Sequence, residues 1–242
     1  MPVKIERDRV REMFSDIAPT YDLLNRLLSF GIDRIWRRAA VRALIDGLAF
    51  DRPARFLDLA TGTGDVALAV RRRLPEDGGV QIVGADLAFP MLAIGRRKAE
   101  GRGAGVGFLQ ADALSLPFGE GAFDGAIIAF GLRNLEDRPA GLAEMARVLR
   151  PGGRIVVLEF GAPRGLFGGF YHFYFRWVLP VAGRIVSGHP TAYTYLPSTV
   201  SDFPAPGELC AMMGEAGLGE VRNRPMTGGI VQVYSGVHLG DA

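Results

Sequence analysis

The chain predicts an α/β fold in which a mostly parallel sheet carries helices on both faces. Three observations predict it. Short apolar runs alternate with segments whose apolar residues fall at helical spacing, the grammar of βαβ units. A glycine loop follows the first run and opens a helix, and an acid stands at the end of each of the first three runs: Asp58, Asp86 and Asp112. At 242 residues the chain is long enough for one substantial core, so a single domain over 1–242 is expected.

The elements follow in order. Residues 1–50 form a helical cap: Val10, Met13 and Phe14, then Leu23, Leu24, Leu27 and Leu28, then Ile35, Trp36, Val41 and Leu44 are helically spaced, with Pro19 and Gly31 as breaks. The core runs from 54 to 160. RFLDLA (55–60) is a strand, DVALAVRRRL a helix, QIVGAD (81–86) a strand and MLAIGRRKAE a helix. VGFLQAD (106–112) and FDGAIIAF (123–130) are strands. LAEMARVL (142–149) is a helix stopped by Pro151-Gly152-Gly153, and RIVVLEF (154–160) is the fifth strand. Residues 161–203 interrupt this rhythm as a helical insert, and 204–242 close it with a helix, PGELCAMMGEAG (206–217), and a hairpin of GEVRNRPM (219–226) and IVQVYSGVHL (230–239).

Composition narrows the function classes. A net charge of +2, from 28 basic and 26 acidic residues, supplies no field for nucleic-acid binding. One cysteine, Cys210, leaves no disulfide framework and no CxxC motif, and with the charged start MPVKIERDRVREMF it fits the cytoplasm. No metal site is expected.

LDLATGTGDVA (57–67) sets Gly62, Gly64 and Ala67 in a GxGxxA pattern, where small residues permit a tight turn and amides at the helix start attract an anion. Asp58 and Asp65 flank the loop, which disfavours a pyrophosphate between them and favours a ligand with both ammonium and carboxylate, such as S-adenosylmethionine. Asp58 either meets the ammonium or fixes the loop. Asp65 is explained by its helix start. Asp86, 22 residues past Gly64, suits the two hydroxyls of a ribose or a helix cap. Asp112 with Ala113 suits an adenine edge or a loop cap. A nicotinamide oxidoreductase remains the rival class, and a cofactor-binding scaffold without turnover the non-enzymatic one.

FLDLATGTGD, VGADL, QADALSLPF, FDGAIIAFGLRN and RVLRPGGRIVVLEF together resemble the Rossmann-like class I S-adenosylmethionine-dependent methyltransferases, whose sheet has seven strands. MFSDIAPTYDLLNRLLSFGIDRIWRR (13–38), GLRN and YLPSTVSDFP (195–204) narrow the resemblance to the menaquinone and ubiquinone biosynthesis C-methyltransferases, over nearly the whole chain. The resemblance implies cofactor contacts at Thr63, Asp86 with Leu87, Asp112 with Ala113, and the position before FGLRN. Many members have serine there; this chain has Ala129, so only packing or backbone carries over.

The reaction implied is methyl transfer from S-adenosylmethionine to a ring carbon of a lipid-tailed quinol, with demethylmenaquinol first and the benzoquinol of ubiquinone synthesis as the alternative. Such a step needs positioning and stabilisation of negative charge on a ring oxygen. Arg133 is the candidate oxyanion stabiliser, its alternative being an ordinary ion pair with Glu136 or Asp137, and Asn134 the partner of the second ring oxygen. Tyr21, Asp22 and Asn25 of the cap are candidates for closing the site. Asp22, His172 and His189 stand as alternative bases. FYHFYFRWVLPV (170–181) is shorter than the roughly 20 residues of a membrane span. It is expected as core, or as the path of a polyprenyl tail with peripheral contact to the inner face of the membrane; a homodimer is left open.

Overall fold

The computed structural model describes residues 6–48, 53–75, 79–102, 104–161, 163 and 198–240. The aromatic stretch 170–181, His172 and His189 lie outside them, as does most of the expected 161–203 insert.

Three short helices open the chain: α1 (Arg7–Ile17), α2 (Tyr21–Leu28) and α3 (Asp33–Ile45). The breaks fall at the expected residues, Pro19 in the first and Phe30 with Gly31, both at positive φ, in the second. Helix α3 buries Trp36, Ala40, Val41 and Leu44 against the sheet, and the Trp36 indole donates to Thr227 Oγ1 at 2.7 Å. That bond ties the cap to the C-terminal hairpin.

The α/β part follows as β1 (Arg55–Leu59), α4 (Asp65–Arg71), β2 (Gln81–Asp86), α5 (Phe89–Glu100), β3 (Val106–Gln110), β4 (Phe123–Ala129), a 3₁₀ turn at Leu132–Asn134, α6 (Arg138–Arg147) and β5 (Leu149–Phe160). Helix α7 (Pro206–Glu215) leads into β6 (Leu218–Met226) and β7 (Val231–His238). The seven strands lie in the order β3-β2-β1-β4-β5-β7-β6, parallel throughout except for β7, which runs antiparallel between β5 and β6. The chain reverses its direction of travel across the sheet between β1 and β4. A crevice at such a reversal is where ligands bind in open α/β sheets.

The two-residue period of the strands sorts the core into two layers. Phe56, Ile127 and Val156 pack with α3 and α4, whereas Leu57, Ile128 and Val157 pack with α6 and α7. Asp58 shares the parity of Phe56, so its carboxylate belongs to the α4 side.

Two sequence boundaries are corrected. The helix expected over 142–149 is α6, four residues earlier at its start, because the Asp137 carboxylate accepts from Ala140 N at 2.9 Å and Pro139 is tolerated in a first turn. The fifth strand begins at Leu149, not 154. Phe123 pairs with Leu149 and Gly125 with Arg154, so Pro151-Gly152-Gly153 loops out within β5 instead of preceding it.

Candidate active site

The carboxyl ends of β1, β2 and β4 surround one cavity, with α1 and α2 laid across it. Gly62, Asp86, Leu87, Asp112 and Ala113 line one side; Ala129, Phe130 and Asn134 line the other; Arg7, Phe14 and Tyr21 form part of the cover. Of the sequence candidates, Asp58, Thr63, Gly64, Asp22, Asn25 and Arg133 are not on this wall.

The glycine loop explains several of these placements. Gly64 sits at φ +79°, and a Cβ there would come within 2.8 Å of the Phe108 ring, so only glycine fits. Asp86 holds the loop from the next strand: Oδ2 accepts from Gly62 N and Oδ1 from Ala88 N, each at 2.8 Å. Burial raises its pKa against the opposing pull of those amides. Asp58 is 1% exposed, and its Oδ2 accepts from Thr61 Oγ1 at 2.5 Å and Ala67 N at 2.8 Å. Burial pushes it up to about 7, while Oδ1 has no hydrogen-bond partner among the described residues. Of the two roles weighed for Asp58, the geometry shows the loop-fixing one.

Thr63 and Asp22 belong to an ion-pair chain behind the loop. The buried Thr63 hydroxyl donates to Asp22 Oδ1 at 2.5 Å and accepts from Lys98 Nζ at 2.9 Å. Lys98 pairs with Asp22 and, at 2.9 Å, with Asp65; Arg37 pairs with Asp33 and, at 3.3 Å, with Asp65. Burial opposes the ionisation of Asp65, but Lys98 and Arg37 overcome it and hold the pKa low. An Asp22 carboxylate held this way is a clamp between α2 and the loop rather than a free proton acceptor. Its neighbour Tyr21 faces the cavity, edge-on to Phe14 with ring centroids 6.0 Å apart.

At the expected adenine end, Asp112 Oδ1 accepts from Leu114 N at 3.0 Å and Oδ2 pairs with Arg7 at 2.6 Å. The Arg7 amide in turn donates to Glu136. Arg7 carries no sequence pattern that marks it.

The opposite wall turns on strained backbone. Ala60 after β1 and Phe130 after β4 both take φ above +50°, a conformation that costs a residue with Cβ about 1–2 kcal/mol. They stand beside each other, since a Cβ on Gly131 would meet that of Ala60 at 2.5 Å. Arg133 is 6% exposed. Its Nη1 donates to Glu159 Oε2 at 2.9 Å and to the Phe130 carbonyl, and its guanidinium lies 5.3 Å from the Phe160 ring centroid. The partner weighed from sequence, Glu136 or Asp137, is thus corrected to Glu159, because Asp137 caps α6 and Glu136 takes Arg7. The sequence signal for Glu159 is its place as the one acid in the apolar run that ends the fifth strand. Asn134 lines the cavity; Nδ2 donates to the Phe130 carbonyl at 3.4 Å, and Oδ1, like Arg133 Nε, is buried without a partner among the described residues. No cluster of metal-ligating side chains occurs among the described residues.

The model of the ubiE/COQ5 methyltransferase family matches residues 2–238. A demethylmenaquinone methyltransferase of Thermus thermophilus is 56% identical over 231 residues, 95% of this chain and 99% of the relative. A ubiquinone/menaquinone biosynthesis C-methyltransferase UbiE of Geobacter sulfurreducens is 48% identical over 232 residues, covering 95% and 88%. Among solved structures, a SAM-dependent methyltransferase of Thermotoga maritima superposes with a TM-score of 0.65 over 94% of this chain and 98% of its own, at 18% identity, a likeness of fold.

Proposed function

The chain belongs to the ubiE/COQ5 methyltransferase family, and we propose that it methylates a ring carbon of a polyprenylated quinol with S-adenosylmethionine as donor. Demethylmenaquinol is the first substrate on this reading, after the name of the Thermus relative, and the benzoquinol of ubiquinone synthesis the second, after that of the Geobacter relative. The observation that carries it is the cavity at the β1/β4 reversal, with two carboxylates on one wall and an unpartnered amide oxygen on the other.

The residues fit the donor. A carboxylate offers about four acceptor sites, so Asp86 keeps capacity for ribose hydroxyls beyond the amides it holds. An adenine amine at Asp112 would share that carboxylate with Arg7. Leu87, Ala113 and Ala129 supply apolar wall, and Asp58, Thr63 and Gly64 shape the loop from behind. Bound there, the donor supplies an electrophilic methyl group.

The chain's own contribution is positional and electrostatic. Tyr21 and Phe14 cover the ring and exclude water. Asn134 orients one ring oxygen from the wall, and Arg133, buried behind that wall, stabilises charge developing on the other through its field and not by contact. Glu159 and the Phe130 carbonyl hold that guanidinium in one place. The enzyme acts in the cytoplasm on this reading, which the half-buried free Cys210 fits, and reaches its lipid-tailed substrate at the membrane face.

Anaerobic incubation with labelled S-adenosylmethionine and reduced demethylmenaquinone is expected to yield labelled menaquinol. An unlabelled quinol from protein that binds the donor in calorimetry would defeat the proposal.

A further inference from the structure

Helices α2 and α3 show an outward face that the cavity does not use. Leu23 and Leu27, one turn apart on α2, are 53% and 52% exposed, and Ile35 on α3 is 57% exposed. Arg26 on α2 and Arg34 and Arg38 on α3 are exposed as well, without an ion pair to a described residue. The acids of the same stretch are turned inward: Asp22 is held by Lys98 and Asp33 by Arg37. The outward charge of residues 21–38 is therefore positive only. A surface of large aliphatic side chains set among arginines matches an anionic lipid bilayer, whose headgroups attract the guanidiniums while the acyl boundary takes the side chains.

We infer that the α2–α3 face docks this enzyme on anionic membrane surfaces. Placement supports the choice of occupant. Helix α2 carries Tyr21 on the cavity wall and Leu23 and Leu27 away from it, so one eight-residue helix separates the reaction chamber from the bilayer. A quinol drawn from the membrane then has a short route to the ring site. The inference rests on the quinol reading only for this route; the docking itself is measured without substrate.

The test uses the full chain with phosphatidylglycerol-containing vesicles and with pure phosphatidylcholine vesicles in sedimentation. Binding is expected on the anionic vesicles and is expected to weaken with salt. Leu23→Ser/Leu27→Ser/Ile35→Ser should bind at least about tenfold more weakly. Arg26→Gln/Arg34→Gln/Arg38→Gln, which removes no packing, should lose roughly a hundredfold, at about 1 kcal/mol per cation near the surface. Both variants should retain donor affinity and turnover of a tail-less quinol while losing turnover of a vesicle-borne long-tailed one. Vesicle binding that neither variant weakens would overturn the inference. So would a wild-type dimer that the triple serine variant turns into a monomer, because the face would then belong to a second copy. Failure of the tail-less quinol to react in wild-type protein would count against the proposed reaction and leave the vesicle result to stand separately.

Discussion

The supports behind the two walls of the cavity are built on different plans. On the β1–β2 side the acids are tied chiefly to backbone, Asp86 to Gly62 and Ala88 and Asp58 to Ala67 as well as to the Thr61 hydroxyl, and the one unpartnered oxygen there, Asp58 Oδ1, lies behind the loop and off the cavity wall. On the β4–β5 side, side chains hold one another through Arg133 and Glu159, and Arg133 Nε and Asn134 Oδ1 are left without partners. The first plan makes a rigid receptacle whose shape exists before any ligand arrives. The second leaves Asn134 Oδ1 on the wall as unused polar capacity, which the proposed reaction would draw on where differential stabilisation has to act.

The largest effect that could break this contrast is at Arg133. Arg133→Ala leaves the fully buried Glu159 unpaired, which should cost about 3–5 kcal/mol in denaturant unfolding, and should lower turnover roughly a hundredfold or more with donor affinity retained. Arg133→Met with Glu159→Gln should restore most of the stability and none of the rate. Wild-type turnover in Arg133→Ala would place the chemistry elsewhere.

On the opposite wall, Asp86→Ala should weaken donor binding by about 1–3 kcal/mol in calorimetry, the range for losing a buried acceptor. Unchanged affinity would mean that the receptacle is made by the loop alone.

Asp58 sharpens the comparison through pH. Its folded pKa, about 7, lies above the ordinary carboxyl value of 3.8, so its protonated form favours the fold. That contribution is full below about pH 4 and is lost as pH rises through 7, at up to about 1.4 kcal/mol per pH unit. Asp58→Asn, whose amide oxygen can still accept from Thr61 and Ala67, should flatten this part of the stability profile. Equal slopes in variant and wild type would reject the assignment.

The smallest effect is at the strained turn. Ala60→Gly should relieve the positive φ at a cost in unfolded-chain entropy, a net gain of about 0.5–1 kcal/mol seen as a modest rise in Tm. A fall would show that the Ala60 methyl is needed against Gly131.

Much of this was legible beforehand because strand and loop grammar is local. The run of β1, the glycine loop and the acids at 86 and 112 all sit where the period and spacing put them. The Asp112 partner was not legible, since Arg7 is 105 residues away and no periodicity links them. The same holds for Lys98, which joins Asp22 to Asp65 only once α2 and α5 are folded together. Asp58 was half legible: its place at a strand end was plain, whereas its side of the sheet needed the register of the neighbouring strands.

The position of β7 bears on how the molecule is made. Strands β5 and β6 do not touch; they meet only through β7, which supplies Gln232 opposite Glu159 and Val233 opposite Leu158. During synthesis, at about 5–20 residues per second, β5 therefore waits for some seventy residues with one edge bare, β6 included in the wait. A nascent chain stalled before residue 231 would present unpaired hydrophobic strand to its neighbours, which makes the arrival of β7 the moment at which the Glu159 edge is sealed.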